Sequence, residues 1–150
     1  MELKTGPGDS TLDDKGRVSI PVRFREQFQG KLIITRGLDP CVWVMTPAAW
    51  ENLRKNLSDA AVFPPEAIRF YKDTLIDMND EVKLDKVGRI AIPSALRIYA
   101  NLTKECLVVS GGDRMAIWDS GEFVAHTKNG PKTNDESLNK LGAGGVFSER

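Results

Sequence analysis

An internal repeat constrains this chain more than any other feature of its sequence. Residues 12–21 (LDDKGRVSIP) align with residues 84–93 (LDKVGRIAIP), 72 positions later, and Arg25 aligns with Arg97 at the same spacing. After an insertion of three residues, an aliphatic run and a tryptophan match as well. Because the order, the spacing and the chemistry all recur, the sequence predicts a tandem duplication of one structural unit.

Each copy is predicted to fold as strand, turn, strand, short helix, strand, turn and strand. In the first copy Val18 and Ile20 alternate with Arg17, which is typical of a strand with one buried face. Pro21 and Pro93 follow these strands and suit the first turn of a helix, where a missing N–H leaves no bond unmade. The predicted fold class is therefore α+β, mainly β, with short helices.

The domain organisation follows from the repeat and from the composition between and after its copies. We predict a first half at residues 8–54, a helical linker at 55–80, a second half at 81–124 and a flexible tail at 125–150. Helices are expected to begin at Thr46, acting as the N-cap, and after Pro64-Pro65. The tail is rich in Gly, Asn, Lys and Ser, a composition that buries too little surface to offset the entropy of ordering.

Charge is distributed unevenly along the chain, although the formal net charge is zero. Residues 11–36 carry six basic and three acidic side chains, and residues 83–104 carry five basic and one acidic. Zero net charge by itself argues against a general nucleic-acid binder, but two basic windows that coincide with the repeat favour an anionic partner.

The sequence gives little support for catalysis or for a metal site. One histidine, His126, and two separated cysteines, Cys41 and Cys106, do not provide a zinc-ligand spacing. Both cysteines are followed by apolar runs and are expected in the core. We therefore expect no enzyme activity, metal or cofactor. Because no apolar run is long enough to cross a bilayer or to act as a signal peptide, we also expect a cytoplasmic protein without a membrane partner.

The candidate binding site is the motif Asp-x-x-Gly-Arg, which occurs once in each copy. Its residues are Asp13, Gly16 and Arg17 in the first copy and Asp85, Gly88 and Arg89 in the second. Glycine permits the positive φ of a tight turn, and the aspartate can accept hydrogen bonds from N–H groups of that turn. The strand alternation directs each arginine away from the core, where a guanidinium can bind phosphate or guanine. Lys15 and Lys86 add positive charge to the same turns.

A structural interpretation of this motif stays open. An aspartate four residues before an arginine can pair with it inside one turn, and an exposed pair of this kind contributes only about 0–1 kcal/mol. Three tryptophans, Trp43, Trp50 and Trp118, could stack on bases, but their matched strand or helix positions favour the core or an interface. The motif alone therefore suggests nucleic-acid binding without deciding it.

Together these segments resemble the MraZ family, whose chains carry two AbrB-like halves. The similarity rests on residues 12–25, 84–97, 101–105 and 117–119, within a stretch from about residue 8 to residue 124. The resemblance implies a double-split β-barrel with its halves packed about a pseudo-twofold axis. It also implies ring-shaped homo-oligomers that bind short direct repeats in double-stranded DNA, upstream of the operon for cell division and cell-wall synthesis.

The resemblance assigns DNA contact to the motif, and so to Arg17 and Lys15 in the first copy and to Arg89 and Lys86 in the second. The expected function is that of a sequence-specific transcriptional regulator associated with the nucleoid. An AbrB-like antitoxin or adaptor that acts through a protein partner is the alternative. An enzyme that uses Cys41 or Cys106 as a nucleophile is a third and less favoured hypothesis.

Overall fold

A computed structural model of the chain describes residues 6–57, 64–66, 68–69 and 79–129. The first half contains β1 (Gly6–Thr11), β2 (Arg17–Ser19), α1 (Val22–Arg25), β3 (Leu32–Arg36) and β4 (Val42–Met45), followed by α2 (Pro47–Leu57). The second half contains β5 (Asp80–Val82), β6 (Arg89–Ala91), α3 (Ser94–Tyr99), β7 (Glu105–Ser110) and β8 (Arg114–Asp119), followed by α4 (Ser120–Asn129). The predicted order of elements is confirmed in both copies, and the fold is α+β and mainly β.

The two halves exchange strands instead of folding side by side. Six strands form one antiparallel sheet in the order β1-β7-β8-β4-β3-β5, and β2 pairs with β6 in a separate two-stranded ribbon. The first strand of each half therefore pairs with the other half: Asp9 lies opposite Leu107, and Glu81 lies opposite Ile33. In the centre of the sheet, Trp43 of β4 lies opposite Ala116 of β8. Among the described strands, neither half forms a complete sheet of its own.

The predicted closure of the sheet into a barrel is not observed. Among the strands of the described ranges, β1 and β5 stand at the two ends of the six-stranded sheet and do not pair with each other. The ribbon forms a second layer, because its aliphatic side chains pack into the same core cluster as those of the sheet. The architecture observed is thus an open antiparallel sheet covered by a short ribbon.

Two apolar clusters, one on each face of the sheet, hold these layers together. The ribbon contributes Val18 and Ile90 to the first cluster, and both are fully buried. Helix α2 contributes Trp50 to the second cluster, which also contains the buried Trp43 and Trp118 of the sheet. The prediction that the tryptophans belong to the core is therefore confirmed. Burying one aliphatic side chain such as Val18 or Ile90 stabilises the fold by about 1.5–3 kcal/mol.

The helices that follow the ribbon strands begin one residue later than the sequence predicts. Pro21 and Pro93 occupy the N-cap positions of α1 and α3, with extended ψ values of 139° and 147°. Their carbonyls accept hydrogen bonds from the N–H groups of Phe24 at 2.9 Å and Leu96 at 3.0 Å. Proline lacks an N–H, so either position would leave no donor unpaired, and the sequence cannot distinguish between them.

Helix α2 begins where the sequence predicts. The Thr46 hydroxyl accepts a hydrogen bond of 3.2 Å from the N–H of Ala49, and its carbonyl accepts one of 3.0 Å from the N–H of Trp50. Thr46 is therefore the N-cap of α2. Of the second predicted linker helix, Pro65, Glu66, Ile68 and Arg69 have helical geometry, and its remainder lies outside the described residues.

Two predicted domain boundaries fall inside helices. Helix α2 extends to Leu57 across the boundary at 54–55, and α4 extends to Asn129 across the boundary at 124–125. The first five residues of the predicted tail are therefore helical, and the rest of it lies outside the described residues. In the portion of the chain that is described, no helix is long and apolar enough to span a membrane.

Candidate nucleic-acid interface

The carboxylate of Asp13 organises the first motif turn. Its Oδ1 accepts hydrogen bonds of 2.9 Å from the backbone N–H groups of both Lys15 and Arg17. Its Oδ2 accepts a third, of 2.8 Å, from Nε of Arg17. Gly16 has a φ of +80°, and its N–H donates to the Asp13 carbonyl at 3.1 Å. One side chain therefore fixes both the backbone of the turn and the guanidinium that follows it.

The second motif turn repeats this geometry. Oδ1 of Asp85 accepts hydrogen bonds from the N–H groups of Val87 at 3.0 Å and Arg89 at 2.8 Å. Its Oδ2 accepts one of 2.8 Å from Nε of Arg89, and Gly88 has a φ of +85°. The pairing of aspartate with arginine inside one turn, which was the structural interpretation of the motif, is therefore present in both copies. It does not exclude binding, because each pair uses Nε and leaves the two Nη groups able to donate elsewhere.

These hydrogen bonds stabilise the ionised form of both carboxylates. The bond from the backbone N–H of Arg17 lowers the pKa of Asp13, and the Arg17 guanidinium lowers it further. The bond from the backbone N–H of Arg89 lowers the pKa of Asp85 in the same way. Each turn therefore carries a fixed negative charge beneath its arginine at neutral pH.

The ribbon brings the two turns together on one face of the molecule. In its antiparallel register Val18 lies opposite Ile90, and Arg89 lies opposite Ser19. Val18 and Ile90 are fully buried, whereas the side chains of Arg17 and Arg89 are 29% and 31% exposed. The alternation predicted from the sequence is thus observed, and both arginines lie on the outer face of the ribbon.

The two arginines belong to one composite patch. Nη1 of Arg89 lies 3.9 Å from Oδ2 of Asp13, the oxygen that also accepts the Nε–H of Arg17. Lys15 and Lys86 are exposed in the two flanking turns. All four predicted binding residues therefore belong to the ribbon and its turns. We call the side chains of Arg17, Arg89, Lys15 and Lys86 the ribbon patch.

No role follows from the sequence for Arg25 and Arg97, which lie outside the Asp-x-x-Gly-Arg motif. The structure places Arg97 against Gly16 and Arg25 against Gly88, so each touches the turn of the opposite half. The sequence feature that singles them out is their recurrence at the same position of both copies. It could not indicate a function, because a recurring arginine after a helix start is equally compatible with an exposed surface.

Neither cysteine thiol is suited to act as the nucleophile of an enzyme. Cys41 and Cys106 are unpaired and 1% exposed. Burial raises the pKa of the Cys106 thiol to about 11 and raises the pKa of Cys41 well above its usual value. A protonated, buried thiol is a poor nucleophile. Within the described ranges, His, Cys, Asp and Glu side chains form no group of three that could hold a metal ion.

The fold and the ribbon patch together define a duplicated α+β protein whose halves each contribute one arginine to a shared surface. The family described as "MraZ protein, putative antitoxin-like" matches residues 6–72 and 75–138. The chain belongs to the MraZ family, as the resemblance of its motifs predicted.

Relatives named "Transcriptional regulator MraZ" support this membership. The protein of Saccharopolyspora erythraea is 41% identical over 115 residues, which cover 77% of this chain and 80% of the relative. The proteins of Clavibacter michiganensis subsp. michiganensis and Clavibacter sepedonicus are each 39% identical over 118 residues, which cover 79% of this chain and 82% of the relative.

Proposed function

We propose that this protein is a non-enzymatic transcriptional regulator that binds double-stranded DNA through the ribbon patch. The observation that carries the proposal is the placement of Arg17 and Arg89 on the outer face of one ribbon, each partly exposed and joined through Asp13. The names of the relatives support the regulatory role.

The geometry of the ribbon favours DNA over a small anion. A two-stranded antiparallel ribbon fits the major groove, where an arginine can donate two hydrogen bonds to guanine. Arg17 and Arg89 are suited to base or phosphate contact, because their Nε atoms are already fixed by the turn carboxylates. Lys15 and Lys86 extend from the flanking turns and are suited to phosphates on either side.

Assembly of several chains would supply the affinity that one ribbon lacks. Four cations per chain neutralise few phosphates, whereas linked sites gain a factor of about 10²–10⁴ without any new contact. We therefore propose a ring-shaped homo-oligomer that binds short direct repeats, upstream of the operon for cell division and cell-wall synthesis. Cytoplasmic, nucleoid-associated localisation follows from this role. We also propose the double-split barrel that the family resemblance implies, because ribbon and sheet share one core although β1 and β5 of the sheet do not pair.

The test compares single substitutions on a duplex taken from the DNA upstream of the protein's own gene. Arg17→Ala and Arg89→Ala are each expected to lower affinity roughly 5- to 150-fold, which is the range for loss of one bidentate base contact. Arg54→Ala is the matched control, because it removes an exposed arginine from α2, on the other face of the sheet.

Fluorescence anisotropy at fixed salt gives the affinities, and size-exclusion chromatography with light scattering shows that the assembly is intact. Wild-type affinity in the Arg17→Ala and Arg89→Ala proteins would refute the ribbon patch as the binding surface. Stoichiometric capture of a protein partner together with no DNA binding by the wild type would favour the antitoxin or adaptor alternative.

A further inference from the structure

Two further arginines pack directly on the glycines of the motif turns. A Cβ added at Gly16 would lie 2.6 Å from Nη1 and 2.8 Å from Cζ of Arg97, well inside ordinary contact distance. A Cβ added at Gly88 would overlap Cζ and Nε of Arg25. Each turn glycine therefore serves two purposes, since it permits a positive φ and leaves room for a guanidinium.

These contacts cross between the halves, and around Gly88 they form a closed circuit. The Gly88 carbonyl accepts a hydrogen bond of 2.9 Å from the N–H of Ile20. The carbonyl of Ile20 accepts one of 2.7 Å from Nε of Arg25, whose guanidinium packs on Gly88. Three residues in mutual contact therefore hold the second turn against the first half.

The reciprocal circuit around Gly16 lacks one link. The Gly16 carbonyl accepts a hydrogen bond of 2.9 Å from the N–H of Ile92, and Arg97 packs on Gly16. Nε of Arg97, however, is buried and has no hydrogen-bond partner in the part of the chain that the structure describes. The circuit around Gly16 therefore contains one hydrogen bond fewer than the circuit around Gly88.

The same exchange between halves continues two residues further along the chain in each copy. Nε2 of Gln27, just after α1, donates to the carbonyl of Gly112 in the β7–β8 hairpin at 2.8 Å. The hydroxyl of Tyr99, in α3, donates to the carbonyl of Gly37 in the β3–β4 hairpin at 2.9 Å. Each helix segment is therefore anchored to the opposite half at two places, which fixes the position from which its arginine reaches the turn.

We propose that Arg25 and Arg97 are positioning residues for DNA binding, each presenting the motif arginine of the opposite half. This inference rests on the proposed function of the ribbon patch. Arg89 follows Gly88 directly in sequence, so a turn held by Arg25 presents the Arg89 guanidinium already ordered. Fixing a binding group before association lowers the entropy lost on binding. Arg25 has the larger effect of the two, because its circuit is closed.

The positioning role is tested first without DNA, by amide hydrogen exchange in the whole protein. Arg25→Ala is expected to accelerate exchange at residues 87–89 by about tenfold and to leave residues 15–17 unchanged, since only contacts of the opposite turn are lost. Arg97→Ala is expected to act on residues 15–17, by a smaller factor. Unchanged exchange at residues 87–89 in Arg25→Ala, or an effect confined to its own half, overturns the positioning role.

A second variant, Arg25→Lys, keeps the test decisive even if Arg25→Ala fails to fold. Arg25→Lys keeps the charge and the aliphatic stem, but an ammonium cannot both donate to Ile20 and cover Gly88 as a planar guanidinium does. This variant is expected to fold and still to accelerate exchange at residues 87–89. Wild-type exchange there in Arg25→Lys would show that charge alone suffices and would overturn the guanidinium circuit.

DNA affinity then separates positioning from direct contact through a double-mutant cycle. If Arg25 acts through Arg89, then Arg25→Ala lowers affinity about tenfold in the wild type and has no further effect in the Arg89→Ala background. Additive losses would show that Arg25 contacts DNA itself and would overturn the inference. If Arg17→Ala and Arg89→Ala leave affinity unchanged, the proposed function fails and the role in DNA binding falls with it. The exchange measurement then still decides whether Arg25 holds the turn.

Discussion

Nη1 of Arg89 lies 3.9 Å from Oδ2 of Asp13, the oxygen that also accepts a 2.8 Å hydrogen bond from Nε of Arg17. Asp85 has no equivalent second partner among the ion pairs of the described ranges, where it pairs with Arg89 alone. The duplicated motif therefore gives an asymmetric site. One carboxylate of the first half lies within ion-pair distance of the arginines of both halves.

This asymmetry predicts different effects for the two aspartates. Asp13→Asn keeps the acceptor for the turn N–H groups but removes the charge that both arginines share. We expect affinity for random-sequence DNA to rise by up to about fivefold, the range for loss of an exposed ion pair, and discrimination in favour of the specific duplex to fall. Asp85→Asn is the matched variant and should change both quantities less. Anisotropy titrations with specific and scrambled duplexes measure both, and equal effects of the two substitutions would contradict the shared role of Asp13.

Replacing a glycine of a motif turn should destabilise the fold more than replacing a glycine in an open turn. Gly88→Ala is expected to cost about 1–2 kcal/mol for its positive φ and a further 1–3 kcal/mol for overlap with Arg25. Gly30→Ala is the control, because Gly30 has a φ of +76° and, among the described residues, no atom within 4 Å of an added Cβ. Gly30→Ala should show only the cost of the positive φ. Urea unfolding gives the difference, and equal destabilisation of the two variants would show that Arg25 does not pack on Gly88.

Acid should weaken the fold through the two motif carboxylates. The pKa of Asp13 and of Asp85 is lowered in the folded protein, chiefly by the backbone N–H groups of Arg17 and Arg89. Their contribution to stability is therefore present above the unfolded pKa of about 3.9 and is lost as the pH falls through the lower folded values. The double variant Asp13→Asn/Asp85→Asn should lose less stability than the wild type between pH 5 and the acid limit of folding, expected at about pH 3. Urea midpoints across this range test it, and identical pH profiles would contradict the assignment.

Side chains on the buried face of the ribbon should stabilise the fold without contacting DNA directly. Ile90→Ala is expected to cost about 2–5 kcal/mol, because Ile90 is fully buried between ribbon and sheet. Val87→Ala is a matched control three residues away, since Val87 is 56% exposed and its truncation should cost less than about 0.5 kcal/mol. Thermal and urea unfolding measure both. A mild effect of Ile90→Ala would show that the ribbon does not pack on the sheet.

Both thiols should react slowly with a disulfide reagent in the native protein. Cys41 and Cys106 are 1% exposed, and burial raises the pKa of each. Labelling is expected to be complete within the mixing time only after unfolding in urea. Fast labelling of either cysteine in the native state would revive the hypothesis of a cysteine-based enzyme.

The features that the sequence predicts correctly are those set by local pattern. Alternation of Arg17 with Val18 and Ile20 places the arginine opposite the aliphatic pair whatever the strand pairs with. The Asp-x-x-Gly-Arg turn is likewise local, because its hydrogen bonds join residues at most four positions apart. Recurrence of both features then predicts two equivalent turns.

The features that could not be predicted depend on which strands meet. Hydrophobic periodicity does not indicate that β1 pairs with β7 of the other half, or that β2 and β6 leave the main sheet to form a ribbon. The contact of Arg25 with Gly88 and the sharing of Asp13 both follow from this exchange of strands. For the same reason the predicted boundary between halves marks the repeat in sequence and does not separate two independent cores.

Contact of DNA with the outer face of the ribbon is best tested by hydrogen exchange of the protein with and without the upstream duplex. Contact at the ribbon is expected to slow exchange at residues 13–17 and 85–89, which include Arg17 and Arg89. Exchange in α2, on the other face of the sheet, should stay unchanged. Slower exchange in α2 with both ribbon turns unchanged would contradict contact at the ribbon.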